Sequence, residues 1–182
     1  MAEDMKQHPL GENQTYNNAG ISLAAQPIAF AAQIFARKGQ TEAVSKKLKL
    51  PTTPGQGDIG SRFNSLPLSP GQWLVVSHGN SGPGLDEIEG ELADIGYASQ
   101  QTESRVCIRV SGSKARELMS RGCRLDLHQD VVGKNFCAQT QMAQVGVLIH
   151  QISDGAEYDL YVYSGFARSF WHWLTETAEQ FR

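Results

Sequence analysis

The chain has little cysteine, no long hydrophobic run and no excess of positive charge, and each shortage excludes something. Three cysteines in 182 residues, Cys107, Cys123 and Cys137, are too few, and odd in number, for a disulfide framework. Reduced thiols in a cytoplasm are the expectation. No stretch reaches the roughly 18 apolar residues of a transmembrane helix. The start, Met1-Ala2-Glu3-Asp4-Met5, lacks the basic and apolar regions of a secretory signal. A net charge of -3 argues against a general nucleic-acid binder, which needs a basic surface to contact phosphates. What is present is core material. Hydrophobic residues make up 40%, including seven Phe, five Tyr and three Trp.

Residues 1–26 are polar, rich in Gln and Asn, and show no sustained period, which reads as a flexible N-terminal arm or one that orders on a partner. Residues 27–182 read as one α+β domain. Ala29 to Ala36 is a short apolar run of strand length. Thr41 is a candidate N-cap for a helix ending at Pro51, and 51–69, with its prolines and glycines, reads as a long loop. Trp73 to Ser77 is a second strand. Leu85, Ile88, Leu92 and Ile95 recur at helical spacing, with Gly96 as a C-cap. Val106, Ile108 and Val110 alternate with Arg105, Cys107 and Arg109, the pattern of a half-buried strand. Ser113 can cap a helix closed by Gly122. Two more alternating runs, Val145 to Ile149 and Tyr158 to Val162, flank the hairpin signal Asp154-Gly155. A last helix over 166–181 places Phe166, Phe170, Trp173, Leu174 and Phe181 on one stripe. This order predicts an α+β fold with a mixed, largely antiparallel sheet and packed helices.

The chemical motifs are weak. Gly55-Gln56-Gly57-Asp58-Ile59-Gly60 matches a dinucleotide fingerprint in form, but prolines surround it and no helix opens at Gly60. His78 to Gly84 sits between a strand and a helix, yet lacks the Lys-Ser/Thr pair of a P-loop, and the helix opens with Asp86, Glu87 and Glu89. Cys123, His128, Cys137 and His150 match no compact zinc spacing. No nucleophile elbow occurs. The acidic run Asp86, Glu87, Glu89, Glu91, Asp94 is either a solvated helix face or a docking surface for a basic partner. Trp171 lies off the main stripe of the last helix, either at an interface or at the rim of the same core. No residue is assigned a catalytic, cofactor-binding or metal-binding role.

Two blocks carry a resemblance. One is Val110-Ser111-Gly112-Ser113-Lys114-Ala115-Arg116-Glu117-Leu118 followed by Gly122-Cys123-Arg124-Leu125-Asp126-Leu127-His128. The other runs from Cys137-Ala138-Gln139-Thr140 through Ala143 to Ile149 and Tyr158-Asp159-Leu160-Tyr161-Val162 to Ser169-Phe170-Trp171-His172-Trp173-Leu174. With Pro70-Gly71-Gln72-Trp73-Leu74-Val75-Val76 upstream, they resemble the gamma subunit of bacterial heterotetrameric sarcosine oxidase, itself similar to a shortened folate-binding domain of the glycine-cleavage aminomethyltransferase. The resemblance implies a non-catalytic accessory subunit packed chiefly against the alpha subunit, beside beta and delta. It implies that FAD, FMN, NAD, tetrahydrofolate and zinc belong to partner subunits, none to this chain. It further implies a complex that oxidatively demethylates sarcosine to glycine, forming hydrogen peroxide and methylenetetrahydrofolate or formaldehyde. The equivalent subunit of an N-methylglutamate dehydrogenase and a stand-alone folate-binding protein are the alternatives.

Overall fold

The computed structural model describes residues 9–11, 14–79 and 81–181. Among them, chain order gives β1 (Thr15–Asn18), β2 (Ile21–Gln26), β3 (Ile28–Ala36), α1 (Thr41–Leu48), β4 (Asp58–Ile59), β5 (Asn64–Ser69), β6 (Gln72–His78) and α2 (Leu85–Leu92). There follow β7 (Gly96–Gln100), β8 (Arg105–Ser111), α3 (Ala115–Ser120), β9 (Cys137–Met142), β10 (Val145–Gln151), β11 (Glu157–Tyr163) and α4 (Ala167–Ala178). Two antiparallel sheets result. The first has strand order β1-β2-β8-β11-β10-β9, the second β4-β5-β6-β3-β7. The α+β expectation with antiparallel sheet therefore holds, in two sheets rather than one. The second sheet is drawn from one continuous stretch, while the first is built from both ends of the chain.

The layering follows from strand parity, because successive side chains point to opposite faces. In β8, Val106, Ile108 and Val110 join the core beneath α3 and α4 with Leu118, Phe170 and Leu174. Cys107 instead joins Leu148 and Tyr161 against Ala31, Leu66, Leu74 and Val76 of the second sheet. On that sheet's far side Ala32, Ile34, Trp73 and Val75 pack on Val44, Leu48, Ile88 and Leu92 of α1 and α2. The order of layers is helices, sheet, sheet, helices. Strands buried on both faces explain why β6 and β10 are nearly continuous in apolar residues instead of alternating.

Several expectations change. Residues 15–26 are not an arm: β1 and β2 form a hairpin, and β2 pairs with β8 from Ser22↔Ser111 to Gln26↔Cys107. Leu23 is fully buried there, although single apolar residues among polar ones gave no period. The rest of the expected arm, residues 1–8, 12 and 13, lies outside the described residues. The expected loop 51–69 contains β4 and β5. Pro67 is tolerated in β5 because β4 pairs only with Asn64 and Ser65, leaving an open edge at the proline. Gly96 does not cap α2; Ala93 does, with φ 43°. Gly96 opens β7, where a Cβ would meet the Phe35 carbonyl oxygen at 2.6 Å. Neither Thr41 nor Ser113 caps: Gln40 and Lys114 hold those positions, without a side-chain capping bond. Arg109 and Cys107, read as the solvent side of β8, face the second sheet. Phe166 leaves the stripe of α4 and is 53% exposed.

Candidate functional site

The register of the first sheet assembles a polar row between the two sheets. Arg109 of β8 lies opposite Asp159 of β11, which lies opposite His150 of β10, which lies opposite Cys137 of β9. Asp159 is fully buried and accepts two bonds from the Arg109 fork, Nε to Oδ1 at 2.8 Å and a terminal nitrogen to Oδ2 at 3.0 Å. The paired carboxylate holds the Arg109 guanidinium above its usual value. One row along, Cys107 lies opposite Tyr161. His78, at the end of β6, enters from the side. Its Nδ1 lies 3.2 Å from the Pro27 carbonyl oxygen and its Nε2 3.0 Å from the Tyr161 hydroxyl. With Nδ1–H donating to that carbonyl, Nε2 is the acceptor for the tyrosine in the neutral ring. His78 Nε2 is also 3.7 Å from Asp159 Oδ2.

His78, Cys107 and Asp159 offer three ligand atoms within 4.8 Å of one another. The donor set does not favour a metal. Both Asp159 oxygens are engaged by Arg109, and burial pushes the Cys107 thiol well above its usual value, with Asp159 adding to the effect. The metal-binding and strongly nucleophilic form of cysteine is the thiolate. Burial likewise pushes the Tyr161 phenol well up. The cluster is a closed hydrogen-bonded network that ties β6 to the first sheet.

His150 differs from its neighbours. It is fully buried, and among the described residues neither ring nitrogen has a hydrogen-bond partner. Burial lowers its pKa from 6.5 to about 4. The unfolded chain therefore takes up this proton from about pH 6.5 downward, the folded chain only near pH 4. Stability from this residue is complete above the unfolded value and is lost as pH falls toward 4, amounting to about 2 kcal/mol by pH 5. Urea unfolding at pH 7.5 and pH 5 should show this loss, and His150→Leu should shrink the difference by about that amount. An unchanged pH dependence in the variant would refute the assignment.

The sequence motifs come apart in space. Gly55 to Gly60 opens no helix. Its first half bonds to the strand entering β9, with Gly57 N donating to the Asn135 oxygen at 2.7 Å and Cys137 N to the Gly55 oxygen at 2.9 Å. Gly57 also lies against His150, where a Cβ would stand 3.3 Å from Nε2. Cys123 belongs to the helix-side core and Cys137 to the layer between the sheets, so the two thiols lie on opposite sides of the first sheet. His128 is at the surface beside Asp130. Of the four imagined ligands only Cys137 and His150 are neighbours. In the acidic run, Glu87 and Glu91 each lie 2.6 Å from Arg62, a residue distant in sequence. Trp171 is 7% exposed at the rim of the helix-side core; with the Gln14 amide turned so that its oxygen faces the indole, the Trp171 Nε1–H donates to it at 3.1 Å. In the His78–Gly84 loop only His78 joins a polar cluster; Asn80 lies outside the described residues.

Several concavities lie apart from the polar row. One, of about 200 Å³, is lined by Pro51, Pro54, Pro67, Pro70 and Trp73, and falls below the usual size of a small-molecule site. Another, of about 360 Å³, is lined by residues including Lys47, Lys49, Asp58, Arg62 and Glu91. A third, shallow and polar at about 600 Å³, is lined by residues including Ser113, Arg116, Asp154 and Glu157.

No protein-family model and no curated protein matches the chain. Solved structures do. A chain of the heterotetrameric sarcosine oxidase from Corynebacterium sp. U-96, in complex with pyrrole 2-carboxylate, superposes with a TM-score of 0.81 at 20% identity. The match covers 92% of this chain and 88% of that one. This chain has that chain's fold. The glycine cleavage system aminomethyltransferase T from Bartonella henselae follows, with a TM-score of 0.60 at 14% identity. There the match covers 86% of this chain but 46% of that one, so this α+β fold corresponds to a little under half of the aminomethyltransferase. Among the described residues no helix is long and apolar enough to cross a membrane.

The buried network was not legible as a site. Arg109 and Asp159 sit at matching parity in two strands, and their opposite charges were the available signal. The pairing partner of each strand was needed to use it.

Proposed function

We propose that this chain is the gamma-type, non-catalytic subunit of a heterotetrameric sarcosine-oxidase complex. The observation that carries the reading is the reciprocal coverage: this chain and one chain of such a heterotetramer span each other almost fully, 92% and 88%. The interior adds support. Asp159, the carboxylate between the sheets, is engaged by Arg109, and Leu66, Leu74, Val76 and Leu148 fill the space around it. That layer does not fit a resident pterin, whose amino group and ring N–H call for a free carboxylate, nor a flavin. The family resemblance assigns FAD, FMN, NAD, tetrahydrofolate and zinc to the alpha, beta and delta chains. The role of this chain is to pack against alpha and stabilise the assembly, which demethylates sarcosine to glycine.

Co-expression with the alpha, beta and delta chains of a heterotetrameric sarcosine oxidase tests this. The isolated chain should show no flavin absorbance and no sarcosine-dependent peroxide, and the chain should co-elute with the flavoprotein subunits. Flavin that copurifies with the isolated chain, or a chain that stays apart, would overturn it. Assay of the complex with N-methylglutamate in place of sarcosine separates the sister dehydrogenase. The similarity to the aminomethyltransferase favours a second reading, a stand-alone folate binder. Saturable micromolar binding of tetrahydrofolate to the isolated chain would support that reading instead.

A further inference from the structure

The two sheets have four outer edges, and they are not equally protected. The edge of β9 is met at both ends by other chain segments, through the bridges Gln56↔Phe136 and Cys123↔Met142. β4 is two residues long and carries Asp58. β1 is four residues long, and its Asn18 side chain donates to the Ala178 and Phe181 carbonyl oxygens at the end of α4. β7 is different. Among the described residues it pairs with β3 alone. From Gly96 to Gln100 it contains no charge and no proline, the usual devices that keep an edge from recruiting another strand.

The hydrogen-bond parity shows what this edge presents. Gln101 N donates to the Ala31 oxygen at 2.7 Å, and Arg37 N to the Ile95 oxygen at 2.9 Å. The intervening register pairs Tyr97 with Phe35 and Ser99 with Gln33. These residues therefore bond inward to β3, and the backbone groups of Gly96, Ala98 and Gln100 point outward. Beside this row Tyr97 is 53% exposed and stacked on Phe35, with ring centroids 4.8 Å apart. Exposed aromatics next to unpaired backbone favour strand addition, in which main-chain bonds give affinity and neighbouring side chains give choice.

The surrounding charge selects the occupant. α2 packs beside β7 and brings Asp86, Glu87, Glu89 and Glu91, followed by Asp94. Arg62 engages Glu87 and Glu91; among the described residues Asp86, Glu89 and Asp94 have no ion-pair partner. A second copy of this chain, added antiparallel about Ala98, would bring two such acidic helices to one face across the joint. Like charges oppose that pairing.

We propose that β7 takes up an extended segment of another protein chain, uncharged over the paired residues and basic at its flanks, as a sixth strand of the second sheet. This rests on the reading of the chain as a subunit and names the surface through which a partner subunit docks. In the assembled complex, Ala98→Pro removes one outward N–H and leaves the bonds to β3 in place, so the variant should keep its thermal unfolding midpoint but bind its partners at least tenfold more weakly. Glu89→Lys with Asp94→Lys should weaken binding about tenfold and flatten its salt dependence. A folded Ala98→Pro chain that assembles like the unchanged one overturns the proposal and leaves the functional reading standing. If the unchanged chain does not assemble with sarcosine-oxidase subunits, that reading fails and the edge is tested by itself. The probes are then the peptides Lys-Val-Thr-Val-Thr-Val-Lys and Glu-Val-Thr-Val-Thr-Val-Glu. Backbone amide shifts at Gly96, Ala98 and Gln100 with the basic peptide only support the proposal. Shifts elsewhere, none at all, or self-association through β7 overturn it.

Discussion

Replacing Asp159 with asparagine should lower the free energy of unfolding by about 3 kcal/mol, because it strands a cation between the sheets. Asp159 is fully buried and gives both oxygens to Arg109. An asparagine offers one oxygen to the fork, and its amide hydrogens face the donors of the other arm. The Arg109 side chain, 29% exposed, can recover only part of its solvation by turning outward. In a chain of this size the loss corresponds to a fall in the melting temperature of roughly 6–12 °C. Urea titration followed by tryptophan fluorescence would measure it, and a loss below about 1 kcal/mol would sink the argument. The double variant Asp159→Leu with Arg109→Met should be far less damaged than either single change. Removing both charges leaves nothing unpaired, so the pair is costly to break without being a large net source of stability.

Phe170→Ala should cost about 4 kcal/mol, within the range for deleting a fully buried aromatic ring. Phe170 is completely buried on the inner stripe of α4 and stacks near Trp173 at 6.0 Å between ring centroids. Trp173 in turn closes over Gly122, where a Cβ would stand 2.5 Å from the indole. Little can collapse into the hole, since α3 is only six residues long and already presses Leu118 and Met119 into the same core. Trp171→Ala should cost less, its ring lying at the rim. Parallel urea titrations of both variants would check the order, and a larger loss at Trp171 would overturn this account of the helix.

The sequence carried the elements whose pattern is local. β8, β10, β11 and α4 were legible because Val106-Ile108-Val110 and Phe170-Leu174 repeat at the period of their own structure. β1, β2, β5 and β7 were not. Their stability comes from a neighbour supplied far along the chain: Leu23 is buried by β8, and Gly96 is demanded by the carbonyl of Phe35. The same holds for the polar row. Asp159, Arg109 and His150 are ordinary strand residues until the register places them side by side, and nothing in the spacing of Cys123 and Cys137 tells that they lie on opposite sides of the first sheet. The family resemblance was carried by the order of blocks, which no single period contains.

The first sheet is built from both ends of the chain, and that has a consequence for its birth on the ribosome. The second sheet needs only residues up to Gln100, so it can close while the rest is still being made. The β1–β2 hairpin emerges first but has no permanent neighbour until β8 arrives, more than 80 residues later. During that interval β2 is an unprotected edge of uncharged residues, Ile21 to Gln26. Productive folding then depends on β8 reaching that edge before another chain does, and an early partner on the finished second sheet would hold nascent copies apart while it happens.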